Sequence, residues 1–251
     1  MSGHSKWSTI KRKKAAEDAR RGQMFTKLAK EIAIAAREGP DTDVNMKLRL
    51  AVDKAKAANM PKDNIERAIR RGAGLDKDAA ELEEITYEGY GPHGVALIIE
   101  VVTDNRNRAV ADIRRWFNKL GGSLGESGCV AWQFEPMAYF TLPPNDLDAD
   151  QVFEVAVESG ADDVTFAEDL IEIFADPSEF QTVREALEQN GLEPETAELT
   201  MLPKTTISLD QKQAFQTMNL ISMLEELDDV QQVYSNLDIS DALMAAFEAE
   251  E

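Results

Sequence analysis

The sequence predicts an α+β protein of several domains. A helical N-terminal domain precedes two α/β domains, one of them ferredoxin-like and inserted in the other. Three observations predict this. Apolar residues recur with the 3.6-residue period of helices up to residue 74. Beyond residue 84 the pattern shifts to short β-rich segments alternating with helices. Within 136–202 the elements read β-α-β-β-α-β, the split βαβ order. The expected divisions are a basic helical domain (1–80), a discontinuous middle α/β domain (81–135 and 203–251) and an inserted acidic ferredoxin-like domain (136–202).

Residues 1–10 are polar and without period, which predicts a flexible arm. Thr9 is placed to cap a helix from Ile10 to Arg21, with Gly22 as its stop. A second helix, Met24–Arg37, carries the apolar stripe Phe25, Leu28, Ala29, Ile32 and Ala36 and ends at Gly39-Pro40. Asp43 is placed to cap a third, to Ala58, with Leu48, Ala51, Val52 and Ala55 inward. Pro61 suits the first turn of a fourth, which stops at Gly72-Ala-Gly74. Strands follow at Ile85–Glu88 and Val95–Val102, the second nearly all apolar and so buried on both faces. A helix is predicted over Asn105–Leu120, a loop over Gly121–Gly128 and a strand over Cys129–Phe134. The βαββαβ unit comprises strands Met137–Leu142, Val164–Ala167, Leu170–Phe174 and Ala197–Leu202, with helices Ala149–Ser159 and Ser178–Asn190. A strand (Thr205–Leu209), a helix (Gln211–Leu227) and a strand (Val230–Ser235) complete the pattern. These last elements need strand partners, and the nearest incomplete sheet is that of residues 84–135, hence the predicted insertion.

The chain has 251 residues, 43% hydrophobic and 29% charged, which suits a folded globular protein. No run of 18 apolar residues marks a membrane span, and the N-terminus lacks the apolar core of a secretory signal. One cysteine, Cys129, and two distant histidines, His4 and His93, exclude an internal disulfide and make a Cys- or His-rich metal site unexpected. The expectation is a cytoplasmic protein with no cofactor, no metal and no membrane partner.

Formal net charge is −20, from 27 Lys+Arg against 47 Asp+Glu, but the charges are segregated. Residues 1–74 hold 18 bases and 9 acids, and the remainder 9 bases and 38 acids, giving +9 and −29. Such asymmetry predicts a polyanion-binding module on an acidic body. Residues 136–202 hold 17 acids and a single base, Arg184, which argues against that stretch as a phosphate-binding surface. The competing reading is that the basic domain docks on its own acidic neighbours.

The candidate nucleic-acid set opens with Lys6, Lys11, Arg12, Lys13 and Lys14, followed by Arg20 and Arg21. Consecutive helical cations repel one another, and phosphates relieve that repulsion while counterions are released. Lys27 and Lys30 continue the charge on the second helix, and Lys54 shares a face of the third with Lys47. Lys62, Arg67, Arg70 and Arg71 lie on or beside the fourth. Trp7 either stacks on an unpaired base or staples the arm onto the helices. Arg106 and Arg108 either extend this path or merely accompany a helix cap at Asp104 or Asn105. Asn59-Met-Pro-Lys62 joins two helices, but any small helical domain has such a joint, so a base-reading helix-turn-helix is a weak inference. Gly89-Tyr-Gly-Pro-His-Gly94 matches G-x-G-x-x-G, yet a strand rather than a helix follows, which rejects a dinucleotide site. Cys129 reads as a small hydrophobe; Asp228-Asp229 could bind a cation, but a helix-to-strand turn explains the pair more simply. No P-loop, nucleophile elbow, H-E-x-x-H or zinc deaminase signature occurs, so no catalytic residue is expected.

Longer motifs point further. Met1-Ser-Gly-His-Ser-Lys-Trp7, Ile10-Lys-Arg-Lys-Lys-Ala-Ala-Glu-Asp-Ala-Arg-Arg-Gly22, Asn59-Met-Pro-Lys-Asp-Asn-Ile-Glu-Arg-Ala-Ile69 and Tyr87-Glu-Gly-Tyr-Gly-Pro92 stand in order. Thr103-Asp-Asn-Arg-Asn-Arg108, Gly121-Gly-Ser-Leu-Gly125 and Leu227-Asp-Asp-Val-Gln231 follow. With these, the chain resembles the YebC/PmpR family over nearly its whole length. The resemblance implies three domains around a central cleft. It implies a DNA-binding transcriptional regulator, other members being associated with translation and the ribosome, and it carries over no catalytic activity. The expected partner is therefore nucleic acid, either double-stranded DNA or ribosomal RNA, with protein partners for the acidic domains.

Overall fold

The computed structural model describes residues 18–76, 79–144, 147–167 and 170–250, with side chains from Arg21 onward except those of Asp241 and of 248–250. Three helices come first: α1 (Asp18–Ala35), α2 (Met46–Ala57) and α3 (Lys62–Gly72). The predicted stripe of α1 holds, since Leu28, Ile32 and Ala36 are buried against Leu48, Val52, Ala55, Ile65 and Ala68. Gly22, however, lies inside α1 rather than at a helix end. A glycine costs a helix about 1 kcal/mol, less than the packing of α1 supplies. Of the predicted helix Ile10–Arg21, residues 18–21 belong to α1 and the rest lies outside the described residues.

Asn45, not Asp43, caps α2. Its Oδ1 accepts from Leu48 N at 3.0 Å while its Nδ2 donates to the carbonyls of Ala35 and Gly39 at 2.7 and 2.8 Å. One buried amide thus closes the α1–α2 turn and starts the next helix, which an aspartate has no donor to do.

The first sheet has the order β3-β1-β2-β8, all antiparallel, from β1 (Glu83–Tyr90), β2 (Ala96–Thr103), β3 (Ser123–Leu124) and β8 (Val230–Ser235). Helices α4 (Arg106–Leu120) and α7 (Gln211–Glu225) cover one face through Ile113, Phe117, Met218 and Leu224. On the other face Ala96, Ile98 and Tyr234 meet Val130, Phe134 and Met201. Central β2 is therefore buried on both faces, as its apolar run predicted.

The second sheet, order β5-β6-β4-β7, is the ferredoxin-like unit: β4 (Phe134–Leu142), α5 (Ala149–Glu158), β5 (Ala161–Phe166), β6 (Ile171–Ala175), α6 (Phe180–Gln189) and β7 (Thr196–Pro203). Phe140, Ile173, Val152, Val183 and Leu187 form its core. In the chain this unit lies between β3 and β8 of the first sheet.

Two further expectations fail. Cys129–Gln133 is no strand, and β4 begins only at Phe134; Ala131–Gln133 forms a single 3-10 turn, because the amides of Val130 and Ala131 bond a buried carboxylate instead of a neighbouring strand. Thr205–Leu209 makes one bridge, Ile207 to Leu237, and no more. There the chain leaves the sheet at Asn236, whose side chain takes the amide of Ala96 at 2.8 Å. A last helix, α8 (Asp241–Glu250), packs Met244 and Phe247 on the first core and was not foreseen.

Candidate nucleic-acid interface

Lys6, Trp7, Lys11, Arg12, Lys13 and Lys14 lie outside the described residues, and Arg20 is placed on α1 by its backbone alone. Arg21 stands exposed on α1. The remaining cations divide by what they touch.

The first group joins the helical unit to the first sheet. Residues 23, 27 and 30 share one face of α1. Gln23 donates to the carbonyl of Glu226, Lys27 to that of Glu225 at 2.7 Å, and Lys30 to that of Asp228 at 2.8 Å. These acceptors sit at the C-terminal end of α7, where carbonyls lack helical partners and the dipole favours cations. Lys30 also meets Asp229 Oδ1 at 2.6 Å, with the two side chains only 12% and 10% exposed. Arg108 reaches the same carboxylate, its Nη2 lying 2.9 Å from Asp229 Oδ2, and bonds Asp104 at 2.9 Å. Burial alone would raise the Asp229 carboxyl. The bonds from Lys30 and then Arg108 outweigh it and hold the group below its ordinary range.

The second group ties the linker. Arg71 donates to the carbonyl of Ala80 at 2.8 Å, and Arg37 to that of Leu82. Both line a cavity of about 420 Å³ between α1, the end of α3 and residues 79–82.

The third group faces solvent. Lys54 meets Glu31 at 3.0 Å, and Lys62 meets Glu66 at 3.5 Å, on side chains 54% and 87% exposed. Such exposed pairs contribute about 0–1 kcal/mol and yield readily to a phosphate. Arg67 and Arg70, one turn apart on the outer face of α3, are exposed and meet no carboxylate among the described residues. Arg106 is likewise exposed, in the first turn of α4, while Asn105 is the actual cap and accepts from Arg108 N at 3.0 Å. The structure thus leaves Arg67, Arg70, Lys62 and Lys54 exposed on the helical unit. It engages Lys27, Lys30, Arg71 and Arg108 in holding the molecule together.

Sequence reasoning singled out Asp229 but read it as a turn residue, missing its side-chain partners Lys30 and Arg108. It passed over Trp132, 68% exposed on the loop after β3. His93 lies in the β1–β2 connection, its Nε2 3.0 Å from Gln216 Oε1. Cys129 is partly buried, and burial together with Glu88 pushes its thiol up, against a nucleophilic role. No helix among the described residues is long and apolar enough to cross a membrane.

Fold and charge define a class: a basic helical head on an acidic body of two antiparallel sheets. Residues 5–75 match the model of the TACO1/YebC protein N-terminal domain, and 82–237 that of the TACO1/YebC second and third domain. The chain belongs to this TACO1/YebC family, in line with its resemblance to the YebC/PmpR proteins. It is 53% identical to a probable transcriptional regulatory protein of Geotalea uraniireducens, across 97% of this chain and 98% of the relative. A namesake in Syntrophotalea carbinolica is 54% identical across 98% of both chains. The crystal structure of a conserved hypothetical protein from Aquifex aeolicus matches with TM-score 0.81 and 44% identity, over 89% of this chain and 93% of that one.

Proposed function

We propose that this chain is a cytoplasmic nucleic-acid-binding regulator, acting on double-stranded DNA through its basic helical domain, and not an enzyme. The observation that carries the reading is the charge segregation, +9 over residues 1–74 against −29 over the rest. The exposed cations of α3 support it, as do the names of the relatives, which speak of transcriptional regulation. We read the domains as 1–80, 81–135 with 203–251, and 136–202. Phosphate contacts from Arg67, Arg70, Lys62 and Lys54 position the protein without reading sequence. The basic segment Lys11–Lys14, with Lys6, Arg20 and Arg21, supplies further contacts. Lys27, Lys30, Arg71 and Arg108 we assign to interdomain structure rather than to phosphates. The acidic domains are free to meet protein partners.

The net charge of −20 favours a second reading, ribosomal RNA in a crowded particle, since a protein that searches naked DNA is more usually basic overall. One experiment addresses both. Affinity is titrated against salt for duplex DNA and for ribosomal particles, using the wild type and Arg67→Glu/Arg70→Glu. On duplex DNA the slope of log K against log salt is expected to fall by about 0.9 per lost contact. An unchanged slope and affinity removes these residues from the interface. Binding to particles alone gives the second reading precedence.

A further inference from the structure

The loop after β3 is held with unusual firmness. Glu88, on β1, is 6% exposed and meets no cation among the described residues. Its carboxylate instead accepts three backbone amides, from Gly128 at 2.6 Å, Val130 at 2.8 Å and Ala131 at 2.7 Å. Burial raises this carboxyl, and the three amides more than reverse the effect, so it stays ionised. Gly125 N bonds the Glu88 carbonyl at 2.9 Å, and Lys204 N bonds the Gln133 carbonyl at 2.8 Å. One end of the loop is therefore tied to β1 and the other to the residue just past β7.

On this frame stand two aromatic side chains with their polar atoms turned inward. Tyr90 OH and Trp132 Nε1 donate to one carbonyl oxygen, that of Cys129, at 3.2 and 3.1 Å. Gln133 Nε2 lies 3.3 Å from the Tyr90 hydroxyl. Trp132 is 68% and Tyr90 36% exposed. Tryptophan is usually well covered. Here its one donor is satisfied from within and its ring is offered to solvent in a fixed orientation.

We propose that Tyr90 and Trp132 form an aromatic platform on which an unpaired nucleobase stacks. The nucleic acid this protein holds then includes, beside the duplex its cations grip, at least one unpaired base. This rests on the nucleic-acid reading above and narrows it. A protein hot spot is ringed by near-neutral contacts that keep water out. This rim is polar, with the Gln133 amide, the Tyr90 hydroxyl and the exposed Glu126–Gly128 turn. Stacking engages the base rather than the phosphate, so it needs no local cation. The pre-set rings lose little conformational entropy on binding. The helical unit adjoins the start of β1, and Tyr90 is its last residue. The strand spans roughly 26 Å at about 3.3 Å per residue, or some eight stacked nucleotides at about 3.4 Å each. A nucleic acid of about that length spans β1 from the helical unit to the platform.

The test uses the full chain at one ionic strength and three probes: an RNA stem-loop, the DNA stem-loop of the same sequence, and a blunt duplex without a loop. Trp132→Ala is expected to weaken stem-loop binding about tenfold, leaving the blunt duplex and the salt slope unchanged. Trp132→Leu, which keeps apolar bulk without a π-face, should fail in the same way, whereas Trp132→Phe should keep most of the affinity. A wild-type preference between the stem-loops identifies the source of the base. If both the Ala and the Leu variants bind stem-loops like the wild type, or lose the blunt duplex equally, the platform is wrong while nucleic-acid binding stands. If the wild type binds none of the three probes, both readings fall.

Discussion

Asp229 shows how far one side chain's meaning depends on neighbours that sequence does not reveal. Beside Asp228 and before a strand it reads as a turn residue. In the fold it takes Lys30, from 199 positions earlier, and Arg108 together. Removing one partner of a buried pair leaves the other uncompensated, at a cost of about 3 kcal/mol. Asp229→Asn should lower unfolding stability by that order in denaturant titration. The double variant with Lys30→Met should be less damaged than the two single losses summed, and strict additivity would deny the coupling. The pH dependence has a definite sign. The folded carboxyl titrates below the unfolded value of roughly 3.9, so its stabilisation is complete above that value and lost as pH falls through the folded pKa. The stability gap between wild type and Asp229→Asn should stay level from pH 7 to about 4, then narrow in acid. A gap that widened in acid would contradict the pair. The cations were legible as cations. Which of them face solvent was not, because that depends on where α7 ends in space.

At the scale of elements, periodicity served well where one face of a helix or strand is buried. It failed where local chemistry decides. The stripe of α1, the twofold burial of β2 and the βαββαβ order were all readable. The strand expected at Cys129–Phe134 was not formed, since Glu88 captures the amides that a ladder would use. Asn45 displaced Asp43 as a cap because an amide both donates and accepts. Two glycines make opposite predictions. Gly22 is helical, and a Cβ built there meets nothing within 4 Å. Gly22→Ala should therefore stabilise the chain by about 0.5–1 kcal/mol. Gly72 faces the carbonyl oxygen of Ala33, which an added Cβ would approach to 2.0 Å. Gly72→Ala should force α1 and α3 apart and cost at least ~2 kcal/mol. Thermal melts of the two variants should move in opposite directions, and a shared direction would refute the packing of this unit.

For the whole molecule, the sequence-level charge map anticipated a basic head and an acidic body, and the order of elements anticipated that late strands must complete an early sheet. It could not give how the parts meet, because a few long-range bonds from α1 to the end of α7 set that geometry. The pairing of β8 with β2 carries a consequence for synthesis. β2 ends at Thr103, and its neighbour begins only at Val230. At roughly 5–20 residues per second, a nascent chain presents that apolar edge unpaired for about 6–25 s, while the unit of residues 136–202 has all its own strands and can fold. Ribosome-bound chains halted once the whole of the later unit has left the exit tunnel, but before β8 has emerged, should therefore yield a protease-resistant fragment from the later unit and cleavage in the earlier one. Slowing translation across this interval should send more of the protein into aggregates.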